Sequence, residues 1–429
     1  MKIIFSDETA PVWEKVDVRL EGLRPASSVK LTAEMEDALG KTFRSWAKFV
    51  SDDRGCVDLA DAVPEDGTYS GADPHGMFWS MELVNVPELT LDNTDAPLYM
   101  RFTAEQDGSS ATRTLKRLLV ADGVTVSKVG DYGLVAEYYR PPTDTMLSNI
   151  IVFGGSGGGM DGGRELARFF SGHGFGALAL AYFGLPGLDF NLVRIPLEII
   201  ENAIKYLRGR SDAIPEKTGI SGISRGGEFS LLCGSMISEI RAVAALTPSP
   251  ILWESEDIFN KAPSFSYRGR EFPFVECDFS GLYDDMEKGR PHAAAPVYAR
   301  AMQKKAECER AMIEMEKTNG PVLMVSGKDD LIWPAYELCL LAEVRFKNRG
   351  FSHYYKHVSL ESVGHRVFAT GFFPTNYEYS SGRVTQKDGR LTGSQGHKLL
   401  IGGNPRDNAL GQQRTRDELV SFFKDAALF

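Results

Sequence analysis

The segment that most constrains this chain is Gly222-Ile223-Ser224-Arg225-Gly226-Gly227. The preceding Thr218-Gly219-Ile220-Ser221 reads as a strand, and Glu228 to Met236 reads as a helix. A turn that joins strand to helix this abruptly has room only for small residues beside the serine, whose hydroxyl it presents at the C-terminal edge of a sheet. The Arg225 amide then lies at a helix N-terminus, where it can stabilise an oxyanion. A glycine-rich linker without chemistry is the bland alternative. The strand–turn–helix context favours a nucleophile elbow.

Such an elbow needs a sheet around it, and the flanking sequence supplies one. Asn149 to Phe153, Gly176 to Tyr182 and Pro321 to Ser326 are apolar strand candidates. Arg164 to Phe170 and Ile195 to Arg208 have helical spacing, with Pro196 near the start of the second. Strands alternating with helices over a long stretch predict a mainly parallel sheet with helices on both faces. Residues 251–292, rich in Phe, Tyr, Asp and Gly, read as an excursion overhanging the site. Before about residue 120 the pattern differs. Val16, Val18 and Leu20 alternate with polar residues, as do Val29, Leu31 and Ala33, and short runs recur at 43–50 and 77–84. Alternating strands between Gly, Asp and Pro clusters predict an all-β sandwich. The expected division is 1–122, a sandwich, and 123–429, the α/β unit.

A serine is a weak nucleophile without a base, and the base needs an orienting partner. In hydrolases with this elbow the order is serine, acid, histidine. Past the Pro321–Ser326 strand comes Gly327-Lys328-Asp329-Asp330, where Asp330 is the preferred acid and Asp329 a solvated neighbour or cap. After the strand candidate Tyr354 to Leu360 comes Ser362-Val363-Gly364-His365, which nominates His365 as base. His353 and His357 lie before or inside that strand and read as surface residues. His292 precedes the acid, and His397 lies in a loop-like tail. Gly154-Gly155-Ser156-Gly157-Gly158-Gly159 follows the strand ending at Phe153. A dinucleotide fingerprint through Gly157, Gly159 and Gly162 would want an acid at the end of the next strand, where Ala181-Tyr182-Phe183 has none. The better reading is a loop giving the second oxyanion amide, from Ser156 first and Gly157 second.

The other chemistries fare worse. Lys and Arg number 48 against 58 Asp and Glu, which argues against nucleic acid. No grouping has metal-ligand spacing, so neither metal nor cofactor is expected. Cys56, Cys233, Cys277, Cys308 and Cys339 are odd in number and lack a CxxC, as reduced thiols of a cytoplasmic protein would be. The start, Met1-Lys2-Ile3-Ile4-Phe5-Ser6-Asp7-Glu8, meets acid before an apolar leader region can form, so no secretory leader is expected there. The longest apolar run, Gly174 to Leu185, is too short to span a bilayer, and the last residues match neither a peroxisomal nor a retention signal.

Taken together, the chain resembles the acyl-CoA thioesterases grouped with bile acid-CoA:amino acid N-acyltransferases. The resemblance rests on Val16 to Pro25, Gly71-Ala72-Asp73-Pro74-His75-Gly76-Met77-Phe78-Trp79-Ser80-Met81-Glu82, Phe153 to Gly159, Ala179 to Phe183, Gly222 to Glu228, Gly327 to Trp333 and Gly364-His365. It implies an immunoglobulin-like N-terminal domain followed by an α/β-hydrolase domain, with Ser224, Asp330 and His365 as the triad. It implies an acyl-CoA substrate. The family's thioesterases carry serine at the elbow and its N-acyltransferases cysteine, so Ser224 favours water as acceptor. Residues 375–411, rich in Gly, Ser and Asn, depart from the family pattern. The rival functions are a carboxylester or dienelactone-type hydrolase, an acyl-CoA:amino acid N-acyltransferase, and a non-catalytic acyl-ligand binding protein.

Overall fold

The structure, a computed structural model, describes residues 1–37, 40–85, 95–255, 261–375, 379–380, 384–387, 390–393 and 398–425. Its N-terminal part is two facing sheets. One contains Lys2–Phe5, Val18–Glu21 and Val57–Asp58. The other is built around Ser28–Glu36, Thr42–Val50, Leu98–Gln106 and Ser109–Leu118. Val29, Leu31, Ala33 and Met35 all point inward along one strand, as period-two alternation requires. The facing sheet supplies Phe5, whose ring meets Phe102 edge-on at 5.3 Å.

Residues 77–84 correct the reading of a single strand. Gly76–Trp79 is a helical turn, and the strand is Glu82–Asn85. All four residues of the turn are buried. The Ser45 hydroxyl donates to the Met77 carbonyl, which satisfies a backbone group that a strand would have paired with a neighbour, and the Trp79 indole donates to the Asp73 carboxylate, which pins the turn.

The second part is built on an eight-stranded sheet. Its strands in chain order are β1 (Thr125–Val129), β2 (Val135–Arg140), β3 (Leu147–Phe153), β4 (Gly176–Ala181), β5 (Ala213–Ile223), β6 (Ala242–Leu246), β7 (Val322–Gly327) and β8 (Tyr355–Leu360). In space they run β1-β2-β4-β3-β5-β6-β7-β8, parallel from β4 to β8. Helices α1 (Asp161–Gly172), α2 (Glu198–Arg208), α3 (Arg225–Met236), α4 (Ala335–Arg349) and α5 (Pro405–Lys424) cover it. β3, β4 and β6 are almost wholly buried, as a sheet with helices on both faces demands.

Residues 195–208 are not one helix. Ile195–Pro196 pairs in parallel with Phe265–Tyr267, and α2 begins only at Glu198. Pro196 has no N–H to give a helix or a ladder, while the Ile195 and Leu197 amides donate to Ser264 and Ser266. The excursion is therefore anchored to the body by strand pairing. The two parts of the chain share a core: the Trp13 ring packs on Phe169 of α1, and the Phe372 amide donates to the Val12 carbonyl.

Candidate active site

Ser224 sits between the last residue of β5 and the first of α3, with φ 61° and ψ −122°. A β-carbon pays for this backbone conformation in strain, and the surroundings must impose it. They do so by close packing. A β-carbon on Gly222 would lie 2.5 Å from the Gly226 carbonyl oxygen, and one on Gly226 would lie 2.2 Å from the Gly154 oxygen. The Ser224 amide donates to the Leu246 carbonyl at 2.8 Å, which ties the turn to β6. Ser224 itself is 9% exposed.

Asp330 and His365 follow β7 and β8, so all three residues lie beyond the C-terminal ends of parallel strands. The Asp330 Oδ2 is 2.7 Å from His365 Nδ1. Its Oδ1 accepts from the Ile332 and Trp333 amides at 2.8 and 3.2 Å, which fixes the carboxylate in the turn. Asp329 is exposed, and its amide bonds the Val363 carbonyl. Among the described residues no hydrogen bond joins the Ser224 hydroxyl to His365. Such bonds are commonly long before a substrate arrives.

The Gly154–Gly159 loop packs on the elbow. A β-carbon on Gly155 would stand 3.0 Å from that of Ser224. The Tyr182 hydroxyl lies 3.1 and 3.2 Å from the Gly154 and Gly155 carbonyl oxygens. In a trans peptide N–H and C=O point opposite ways, so the Ser156 amide faces away from Tyr182. Tyr182 is legible in the sequence as a strand and motif residue, but no local signal gives it this role. The same holds for Trp333, a motif residue whose indole donates to the Thr247 carbonyl and whose ring meets His365 edge-on at 6.2 Å. A third support of the site lies in the tail: the His365 amide donates to the Ile401 carbonyl at 2.7 Å, and Asp330 bridges to Gly402. His397 lies outside the described residues.

His357 is a correction. It is a strand residue with a largely buried ring, not a surface one. Its Nε2 is 2.7 Å from Ser326 Oγ, and its Nδ1 is 3.4 Å from Glu343. Burial lowers its pKa, and Glu343 opposes the shift. The residue types are those of a triad, but Ser326 is fully buried within β7 and no substrate can reach it. His353 is exposed, and His292 is buried with Nδ1 against the Arg290 carbonyl. Among the described residues no group of three or more His, Cys, Asp or Glu could hold a metal ion, and no helix is long and apolar enough to cross a membrane.

A sheet in this order, with an elbow serine and a carboxylate–imidazole pair at its C-terminal edge, is that of an α/β-hydrolase. Residues 13–131 match the acyl-CoA thioester hydrolase/BAAT N-terminal region, and 195–428 match the BAAT/acyl-CoA thioester hydrolase C-terminal model. The chain belongs to this family. It is 28% identical to a peroxisomal succinyl-coenzyme A thioesterase of Mus musculus, over 79% of this chain and 78% of that one. It is 26% identical to the mitochondrial acyl-coenzyme A thioesterase 2 of Rattus norvegicus, over 96% and 86%. Among solved structures, a Pyrobaculum calidifontis esterase aligns at 14% identity with a TM-score of 0.39, covering 72% of this chain and 87% of that one.

Proposed function

We propose that this protein hydrolyses acyl-CoA thioesters through an acyl-Ser224 intermediate. The observation that carries the reading is the 2.7 Å Asp330–His365 contact at the same sheet edge as the strained Ser224 elbow. An ionised carboxylate only accepts, so it holds the proton on Nδ1 and leaves the Nε2 lone pair for the serine. His365 takes the Ser224 proton as Oγ attacks the thioester carbonyl. The amides of Arg225 and Ser156 receive the oxyanion. The C–S bond then breaks, and His365 returns the proton to the departing CoA sulfur. Water, deprotonated by the same imidazole, cleaves the acyl ester to free acid and regenerates Ser224. Asp330 holds the imidazolium formed in each half.

An acyl-serine is an ester and a poorer donor to amines than an acyl-cysteine thioester, which favours water over an amino acid. The family's thioesterase members support CoA as the leaving group. A turnover panel of acyl-CoAs and p-nitrophenyl esters tests the reading: esters alone being hydrolysed would replace it with the carboxylester alternative. Product mass spectrometry with added glycine tests the acceptor, and N-acylglycine as main product would make this a transferase. We further propose the division at residues 122/123. Five unpaired cysteines, four of them buried, support a reducing compartment, for which we take the cytoplasm.

A further inference from the structure

The side chain of the residue after Ser224 turns away from the sheet edge into the core, where a charge has to be matched. Arg225 is 2% exposed and Glu228, one helical turn on, is fully buried. Arg225 Nη1 donates to Glu228 Oε2 at 2.7 Å. Nη2 donates to the Glu254 carbonyl at 3.0 Å, the Trp253 carbonyl at 3.4 Å and the Ser264 hydroxyl. Glu228 Oε1 accepts from the Trp253 amide. One guanidinium thus joins the first turn of α3 to Trp253, Glu254 and Ser264. Trp253 in turn backs a row of rings: it meets Tyr298 at 5.1 Å, Tyr298 meets Trp333 at 5.7 Å, and Trp333 meets His365 at 6.2 Å.

We infer that Arg225 is a positioning residue with two separable tasks: its charge cancels Glu228 beneath the oxyanion site, and its fork holds Trp253, Glu254 and Ser264 together as a wall behind the ring row that ends at His365. This rests on the proposed acyl-Ser224 mechanism. The first task follows from electrostatics. The N-terminus of α3 favours negative charge, and an unneutralised carboxylate in its first turn opposes the forming oxyanion. A unit charge roughly 7 Å away at an effective dielectric of about 20 changes a rate by about 50-fold. The second task follows from shape. A lysine supplies the charge but cannot reproduce a planar fork shared among several acceptors.

The test compares R225K, R225M, E228Q and R225M/E228Q with the wild type for kcat and KM on an acyl-CoA and on a p-nitrophenyl ester, with circular dichroism to confirm folding. R225M is expected to lose roughly 10- to 50-fold in kcat, and the added E228Q to restore at least 5-fold of it. R225K is expected to lose less than about 3-fold in kcat while KM rises about 5- to 10-fold. A folded R225M with the same kcat as R225M/E228Q would overturn the charge task, and an unchanged KM in R225K would overturn the wall task. If R225M does not fold, R225K and the double variant decide: retained kcat with raised KM supports the inference, and lost kcat with unchanged KM refutes it. A wild type that hydrolyses esters but no acyl-CoA would refute the proposed substrate, while the comparison still runs on the ester.

Discussion

Asp330→Asn isolates the charge and the tautomer at the candidate site while sparing the fold. An asparagine oxygen can still accept from the Ile332 and Trp333 amides, as Asp330 Oδ1 does. Its amide nitrogen would then face His365 Nδ1, now 2.7 Å from a carboxylate oxygen. Nδ1 must become an acceptor, so the proton moves to Nε2, where it blocks the removal of the Ser224 proton. The carboxylate's attraction for the imidazolium is lost as well, and at 2.7 Å with an effective dielectric of about 20 it is about 6 kcal/mol. A loss on the order of 10⁴ in kcat agrees with the cost of this change in serine triads. Thiol release from an acyl-CoA measures it, with thermal unfolding as the control for folding. Asp329→Asn is expected to stay within about 3-fold of wild type, since Asp329 is exposed. A D330N enzyme within 10-fold of wild type, or a D329N enzyme equally crippled, would refute the assignment.

Ser224→Ala should abolish labelling by a fluorophosphonate probe and lower kcat by at least about 10⁴, without added backbone strain because alanine bears the same β-carbon; labelling that persists would move the nucleophile elsewhere. Gly155→Ala would put a methyl 2.9 Å from the Ile223 carbonyl oxygen and 3.0 Å from the Ser224 β-carbon, and kcat should fall about 100-fold. Wild-type kinetics in that variant would mean that the loop does not hold the oxyanion amide. Burial lowers the His75 pKa to about 4, where its ring stacks on Phe372 at 4.2 Å. Between about pH 6.5 and 4 only the unfolded chain binds that proton, so stability falls as pH falls, by up to about 3 kcal/mol. His75→Phe keeps the stack and removes the titration. Denaturant unfolding should show the variant gaining on the wild type from pH 7 to 4.5, and parallel curves would refute this.

Local signals sufficed where the constraint was itself local. The glycines around Ser224 mark a turn in which β5 meets α3, and apolar runs bounded by turn residues mark β3, β4 and β7. The order of Ser224, Asp330 and His365 along the chain, each just past a strand candidate, places them at strand ends. Misreadings came where the deciding partner was far away in sequence. Residues 77–84 look like a strand, but Asp73 and Ser45 hold part of them as a helical turn. Ile195 to Arg208 has helical spacing, yet its first residues pair with Phe265–Tyr267. His357 looks like a surface residue until α4 covers it. The supports of the site were silent for the same reason. Tyr182 reaches back to Gly154, Trp333 to Thr247, and His365 out to Ile401. Periodicity reports which face of an element is buried. It carries no information about which side chain from another element completes a hydrogen bond there, and only the tertiary structure decided that.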